Sequence, residues 1–250
     1  MHECLKSLSE LDEVTNIIFY GSYSRGDSDG TDIDTLVFTK GERYCTPIKV
    51  YYYTAKLPRI YDVFIHNKQE LKGVAVDLFS PVFVEHLADV SEPFSGEDLK
   101  EIFRDKTNIW EKTSKKSGIS WGYFSELSDR VRHLRKGYEQ IIKNPPDTRT
   151  EEGKIIYKKE ANRAFSTMRI AVRMKGIRLG RFDDKKNVIK TYYENYPIIK
   201  DHENIALKIA NDDFSKLSLE RALENTEISK ELGEEVLWAV DRDLCQKLGI

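Results

Sequence analysis

The sequence predicts an α+β protein, with a small sheet domain over residues 1–96 and an all-helical domain over residues 97–250. Three observations predict it. Short apolar runs, rich in β-branched and aromatic residues and bounded by turn residues, fill the first hundred positions. Beyond Gly96 the apolar residues recur at steps of three and four. The segment "SEPFSG", ending at Gly96, supplies a turn-rich break between the two regimes.

Taken in order, residues 3–13 predict a short helix, and residues 16–20 and 34–39 predict strands on either side of an acidic turn. "IKVYYYTA", 48–55, predicts a third strand from its β-branched and aromatic content. Pro58 ends that run, because it cannot donate to a sheet ladder. "IYDVFI", 60–65, predicts a fourth strand, with Tyr61, Val63 and Ile65 on one face and Ile60, Asp62 and Phe64 on the other. A carboxylate in mid-strand is costly unless it has a partner, which marks Asp62. "KQELKGVAVDLFSPVFVEHLAD" predicts one or two helices broken at Pro81.

The second half reads as helices at 97–116 and 119–143, the latter carrying Trp121, Phe124, Leu127, Val131, Leu134, Tyr138 and Ile141 at helical steps. Pro145 and Pro146 exclude helix from the following linker. Over 151–175 an apolar stripe of Tyr157, Ala161, Ala164, Phe165, Met168, Ala171 and Val172 runs beside a polar one of Lys158, Asn162, Arg169 and Arg173. Shorter helices are expected at 184–195 and 203–211, and a long last one at 218–248.

Composition narrows the class of protein. With 40% hydrophobic and 33% charged residues among 250, the chain suits a soluble globular protein rather than a disordered one. No apolar run approaches the ~20 residues needed to cross a bilayer. The first residues show no basic region followed by an apolar core, so no signal peptide is expected. Cys4, Cys45 and Cys245 are odd in number and far apart, and the five histidines are scattered. That pattern speaks against a zinc site or a disulfide scaffold and for a reducing, cytoplasmic setting. The net charge of −2 conceals an asymmetry: 9 Lys and Arg face 15 Asp and Glu over 1–96, against 31 and 27 over 97–250. An acidic half suits cations, and a mildly basic half suits phosphates.

The acidic turn carries the chemistry. In "IIFYGSYSRGDSDGTDIDTLVF", Asp27, Asp29, Asp32 and Asp34 crowd beside one cation, Arg25. Carboxylates so close repel unless a cation joins them. Asp32 and Asp34, two apart, share a strand face. With Asp62 from a neighbouring strand they make a three-carboxylate cluster for Mg²⁺, the layout of two-metal phosphoryl transfer. Gly21 lets backbone approach a phosphate, and the Ser22 hydroxyl with main-chain N–H groups can hold its oxygens. Arg25 adds positive charge, and Gly26 permits the tight return. Asp27 and Asp29 read as solvated turn residues.

"GSYSRGDSDGTDIDTLVF" resembles the signature of the polymerase-β-like nucleotidyltransferase superfamily, matching it residue by residue at Gly21, Ser22, Asp32 and Asp34. The resemblance implies a mixed sheet with flanking helices and aspartates holding Mg²⁺, two ions in all. It implies transfer of a nucleoside monophosphate from ATP or another NTP to an acceptor, with loss of pyrophosphate. It also implies a third carboxylate on a later strand acting as base; Asp62 in "RIYDVFI" matches that position, and Asp77 is a rival.

The helices follow the motif, an order that resembles the aminoglycoside adenylyltransferases acting on streptomycin and spectinomycin. "ANRAFSTMRIAVRMKGIRLGRFDDKKNVIKTYYENYP" is similar to their C-terminal segment, although Asp183-Asp184 replaces the usual small residue before the lysine. By that likeness Lys185 or Lys186, with Arg163, reaches the triphosphate. The expected function is Mg²⁺-dependent transfer of a nucleotide, AMP, to a hydroxyl of a small molecule of the aminoglycoside kind, with a role in antibiotic resistance. The alternatives are the same chemistry on an RNA or protein acceptor, as in toxin-type relatives, and a catalytically silent nucleotide sensor. The chain is expected to act off the membrane, as monomer or homodimer.

Overall fold

The structure is a computed structural model that describes residues 2–26, 32–41, 46–71, 81–117, 121–179, 184–196, 200–213 and 216–249. Asp27, Asp29, Cys45, Asp77 and Asp183 lie outside the described residues. The chain divides into two compact units, 1–118 with 241–250, and 119–240.

The first unit is built on strands β1 (Val14–Phe19), β2 (Ile33–Thr39), β3 (Tyr61–Asn67) and β4 (Glu92–Ser95). Their order is β3-β2-β1-β4. β2 and β3 run parallel, while β1 is antiparallel to both β2 and β4. The sheet is therefore mixed. Its helices are α1 (Glu3–Ser9), α2 (Gly21–Ser24), α3 (Ile48–Thr54), α4 (Pro81–Val90) and α5 (Lys100–Ser117). Period two sorts the strand residues between the faces. Ile18, Tyr20, Leu36 and Phe38 form a core with Val84 and Leu87 of α4 and Phe103 of α5. Ile17, Val37 and Val63 are buried on the opposite face.

Two segments differ from expectation. Residues 48–55, read as a strand, form α3. Within it Val50, Tyr51 and Thr54 are buried, whereas Ile48 is 38% and Tyr52 48% exposed. That spacing is helical, and burial on one face overrides the β propensity of the side chains. The "SEPFSG" break also holds a strand, β4, which pairs Ile17 with Ser95 and Phe19 with Glu92. Pro93 is tolerated because β4 is the sheet edge. Gly96, at φ 85°, turns the chain back onto β1. A methyl group there would run into the Thr15 carbonyl, and Asn16 Nδ2 donates to the Glu97 carbonyl at 3.0 Å. The first unit continues beyond Gly96 through α5.

Behind the sheet lies a buried ionic group. His66 Nδ1 stands 3.1 Å from Glu70 Oε2, and the Asn67 amide donates to Glu70 Oε1 at 2.9 Å. Lys106 of α5 donates to the Glu70 carbonyl at 3.4 Å. Burial pushes its ammonium down to about 8, against the opposing pull of Asp241, Cys245 and Glu70.

The second unit holds α6 (Trp121–Lys143), α7 (Glu151–Met174), α8 (Lys185–Asn195), α9 (Lys200–Asn211) and most of α10 (Leu219–Leu248). Of the predicted stripes, Leu127, Val131, Leu134, Tyr138 and Ile141 on α6 and Tyr157, Ala161, Ala164, Phe165, Met168, Ala171 and Val172 on α7 are buried, and the side chains of Trp121 and Phe124 lie outside what the structure describes. Thr150 caps α7, accepting from the Gly153 amide at 3.1 Å. Arg135 and Glu234 form a buried ion pair at 2.8 Å. No helix among the described residues is long and apolar enough to cross a membrane.

Candidate active site

Gly21, Ser22 and Asp34 stand at one end of the sheet. β1 ends at Phe19, and the Tyr20 amide donates to the Asp34 carbonyl at 3.1 Å, tying the start of β2 to the end of β1. The chain then winds into the single turn of α2, which begins at Gly21 with φ 72°. A side chain at position 21 would be strained there and would collide with Asp34 Oδ2. Gly21 therefore lets the Asp34 carboxylate lie directly against the backbone of the turn. Ser22 follows, half-buried, and Arg25 closes the helix as an exposed cap. Gly26, at φ 73° with open space around it, begins the return.

The decisive relation is lateral. In the parallel β2–β3 pair, Asp34 and Asp62 are register partners. Neighbours in register on parallel strands point to the same face. Both carboxylates are half-buried, one step before Leu36 and Phe64, which pack into the core of that face. Asp32 stands one residue ahead of β2 in an exposed bend. Among the described residues no group of three His, Cys, Asp or Glu is drawn together tightly enough to hold an ion by protein ligands alone. The structure therefore brings Asp34 and Asp62 together and leaves Asp32 at the rim. One polar atom near the motif escaped the sequence reading: Ser24 Oγ is buried with no hydrogen-bond partner among the described residues.

The basic residues of the second unit separate into two groups. A cavity of about 330 Å³ is lined by Lys158, Asn162, Phe165, Ser166 and Arg169 of α7 and by Lys185 and Val188 of α8. Three cations thus surround it, over an apolar floor. Lys185 Nζ sits 5.6 Å from the centre of the Phe165 ring. Burial, with the charge of Lys158 adding to it, lowers the Lys185 pKa. Asn162 Oδ1 is buried there without a hydrogen-bond partner among the described residues. Asp184 caps α8 by accepting from the Asn187 amide at 3.1 Å, which sets the direction of Lys185.

Arg163 and Lys186 are not in this cavity. Arg163 Nη1 donates to the His133 carbonyl at 2.7 Å and to Glu160 Oε2 at 2.6 Å. Gly137 makes room for that pair on α6, since a methyl group there would strike both side chains. Arg163 ties α7 to α6. Lys186 is exposed. The stripe of Lys158, Asn162 and Arg169 was visible in the sequence as a helix face. That α8 would close it into a cavity was not, because the closure depends on a separate helix.

The mixed four-stranded sheet with flanking helices and the helical C-terminal part are consistent with an α+β nucleotidyltransferase fold. Residues 1–116 match the family model described as nucleotidyltransferase domain. No curated protein and no solved structure matches the chain. The protein thus carries a nucleotidyltransferase domain, that of an enzyme moving a nucleoside monophosphate from an NTP.

Proposed function

We propose that the protein is a Mg²⁺-dependent nucleotidyltransferase that moves AMP from ATP to a hydroxyl of a small molecule of the aminoglycoside kind. The observation that carries this reading is the lateral pairing of Asp34 with Asp62 beside Gly21. Two carboxylates on one face, with a glycine turn packed against one of them, fit a hard cation shared with substrate phosphates. Asp32, Asp34 and Asp62 are the residues to hold two such ions, which when bound neutralise the triphosphate and ease loss of the acceptor proton.

In this reading Gly21 and Ser22 offer main-chain N–H groups and a hydroxyl to phosphate oxygens, with Arg25 beside them. Asp62 takes the proton of the acceptor hydroxyl, acting as general base. Residues 1–96 carry the chemistry, and residues 97–250 supply substrate and nucleotide contacts. The cavity of Lys158, Arg169 and Lys185, within the second unit, suits an anion. Arg163 and Lys186, by contrast, serve the helix contact and the surface. The acidic balance of residues 1–96 and the position of the helices after the motif favour a cationic small acceptor.

The test is incubation of the protein with labelled ATP, GTP, CTP and UTP, Mg²⁺ and pools of antibiotics and cellular RNA. Label on an aminoglycoside, abolished by Asp34→Asn, is the expected outcome. Label on RNA or on protein would move the acceptor to another class. Nucleotide bound but never transferred would make the protein a sensor.

A further inference from the structure

We propose that His2 is a positioning residue that ties the Gly21–Ser22 turn to the strand bearing Asp62; this rests on the roles given above to those residues. Its imidazole bridges two phenols. Nδ1 lies 2.9 Å from Tyr61 Oη, and Nε2 lies 2.9 Å from Tyr23 Oη. Tyr23 belongs to α2, one residue after Ser22, and Tyr61 immediately precedes Asp62. A neutral imidazole donates from one nitrogen and accepts at the other, and each phenol can do either, so both bonds form at once.

The bridge is embedded in rings. The His2 ring lies 5.1 Å from Phe19 and 5.9 Å from Phe94, and Phe19 lies 5.2 Å from Tyr23 and 5.5 Å from Phe94, centre to centre. These side chains come from α2, β1, β3, β4 and the residue before α1. Tyr61 is buried. α2 is a single turn of four residues, too short to be stable alone. Something outside it must hold it. On one side Gly21 meets Asp34; on the other Tyr23 meets His2. The clasp therefore sets the distance between a phosphate-holding turn and the base that must act beside it. Small misplacements of such groups are costly to rate.

Amide hydrogen exchange on the full chain tests the clasp. His2→Phe keeps the ring packing and removes both bonds, and Tyr23→Phe removes one. We expect His2→Phe to speed exchange over residues 20–26 by about tenfold, the size of two partly buried hydrogen bonds, with an unchanged Tm. Tyr23→Phe should add little in the His2→Phe background, because the bond is already gone. His2→Gln, whose amide can donate and accept, should restore part of the protection. Unchanged exchange in that segment, or faster exchange everywhere with a lower Tm, would overturn the proposal. In turnover with the NTP and acceptor found by the label screen, His2→Phe should lower kcat about tenfold and leave the KM for NTP within about twofold. A rise in KM alone would also overturn it. Should the wild type transfer nothing, the transferase reading fails, while the exchange result still decides the clasp.

Discussion

At Gly21 the backbone has φ 72°, and Asp34 Oδ2 occupies the space a methyl group would need. Gly21→Ala should therefore cost about 1–3 kcal/mol in urea unfolding and displace the Asp34 carboxylate. Asp34→Asn should act differently. The amide is isosteric, so the unfolding midpoint should stay near wild type, while, on the proposed role of Asp34 in holding metal, nucleotide transfer falls by about a thousandfold. Asp62→Asn should lower kcat by about 10²–10⁴ with little change in NTP affinity, measured by calorimetry, because a base acts only in the transition state. Gly21, Ser22, Asp32 and Asp34 were legible as spacing, since all four lie within one short stretch. The partnership of Asp34 with Asp62 was only an expectation from strand faces until the parallel register placed them side by side.

The elements show where local pattern is enough. The α7 stripe, and the α6 stripe from Leu127 onward, are buried as their periodicity predicts, because a three-to-four step over more than twenty residues admits one reading. The seven-residue α3 does not have that length. Its tyrosines and valine favour a strand by propensity, and only burial of Val50, Tyr51 and Thr54 against the rest of the first unit selects helix. Caps are the local features whose cost can be read directly. Thr150→Ala removes the acceptor for the Gly153 amide and should lower stability by about 1 kcal/mol in urea unfolding, with transfer activity retained at saturating substrate.

On the scale of the whole chain, α10 begins in the second unit, and its last residues, from Asp241, belong to the first. There Asp241 lends its charge to the buried Lys106. Folding lowers the Lys106 pKa from its ordinary 10.5 to about 8, so between these values the unfolded chain binds more protons than the folded one. Stability should accordingly rise as pH increases from about 8 to 10.5, and the burial penalty should be fully present below 8. Chemical denaturation across that range should show the rise in wild type and its loss in Lys106→Met. Charge at the same scale bears on the acceptor. A small cationic acceptor should give a shallower dependence of log KM on log salt than an RNA acceptor, whose many phosphate contacts make the slope steep, read from transfer kinetics at several salt concentrations.

The sequence alone determined the Gly-Ser and Asp-x-Asp spacing that accompanies the domain match over residues 1–116, and the succession of long helices, because each is written in spacings within one continuous segment. Tertiary structure decided the rest: the pairing of Asp34 with Asp62, β4 on the sheet edge, the helical state of α3, and the closing of Lys158, Arg169 and Lys185 around one cavity. Each of those depends on groups far apart in the chain meeting in space. Such meetings are set by burial and strand register, and neither is a property of any segment taken by itself.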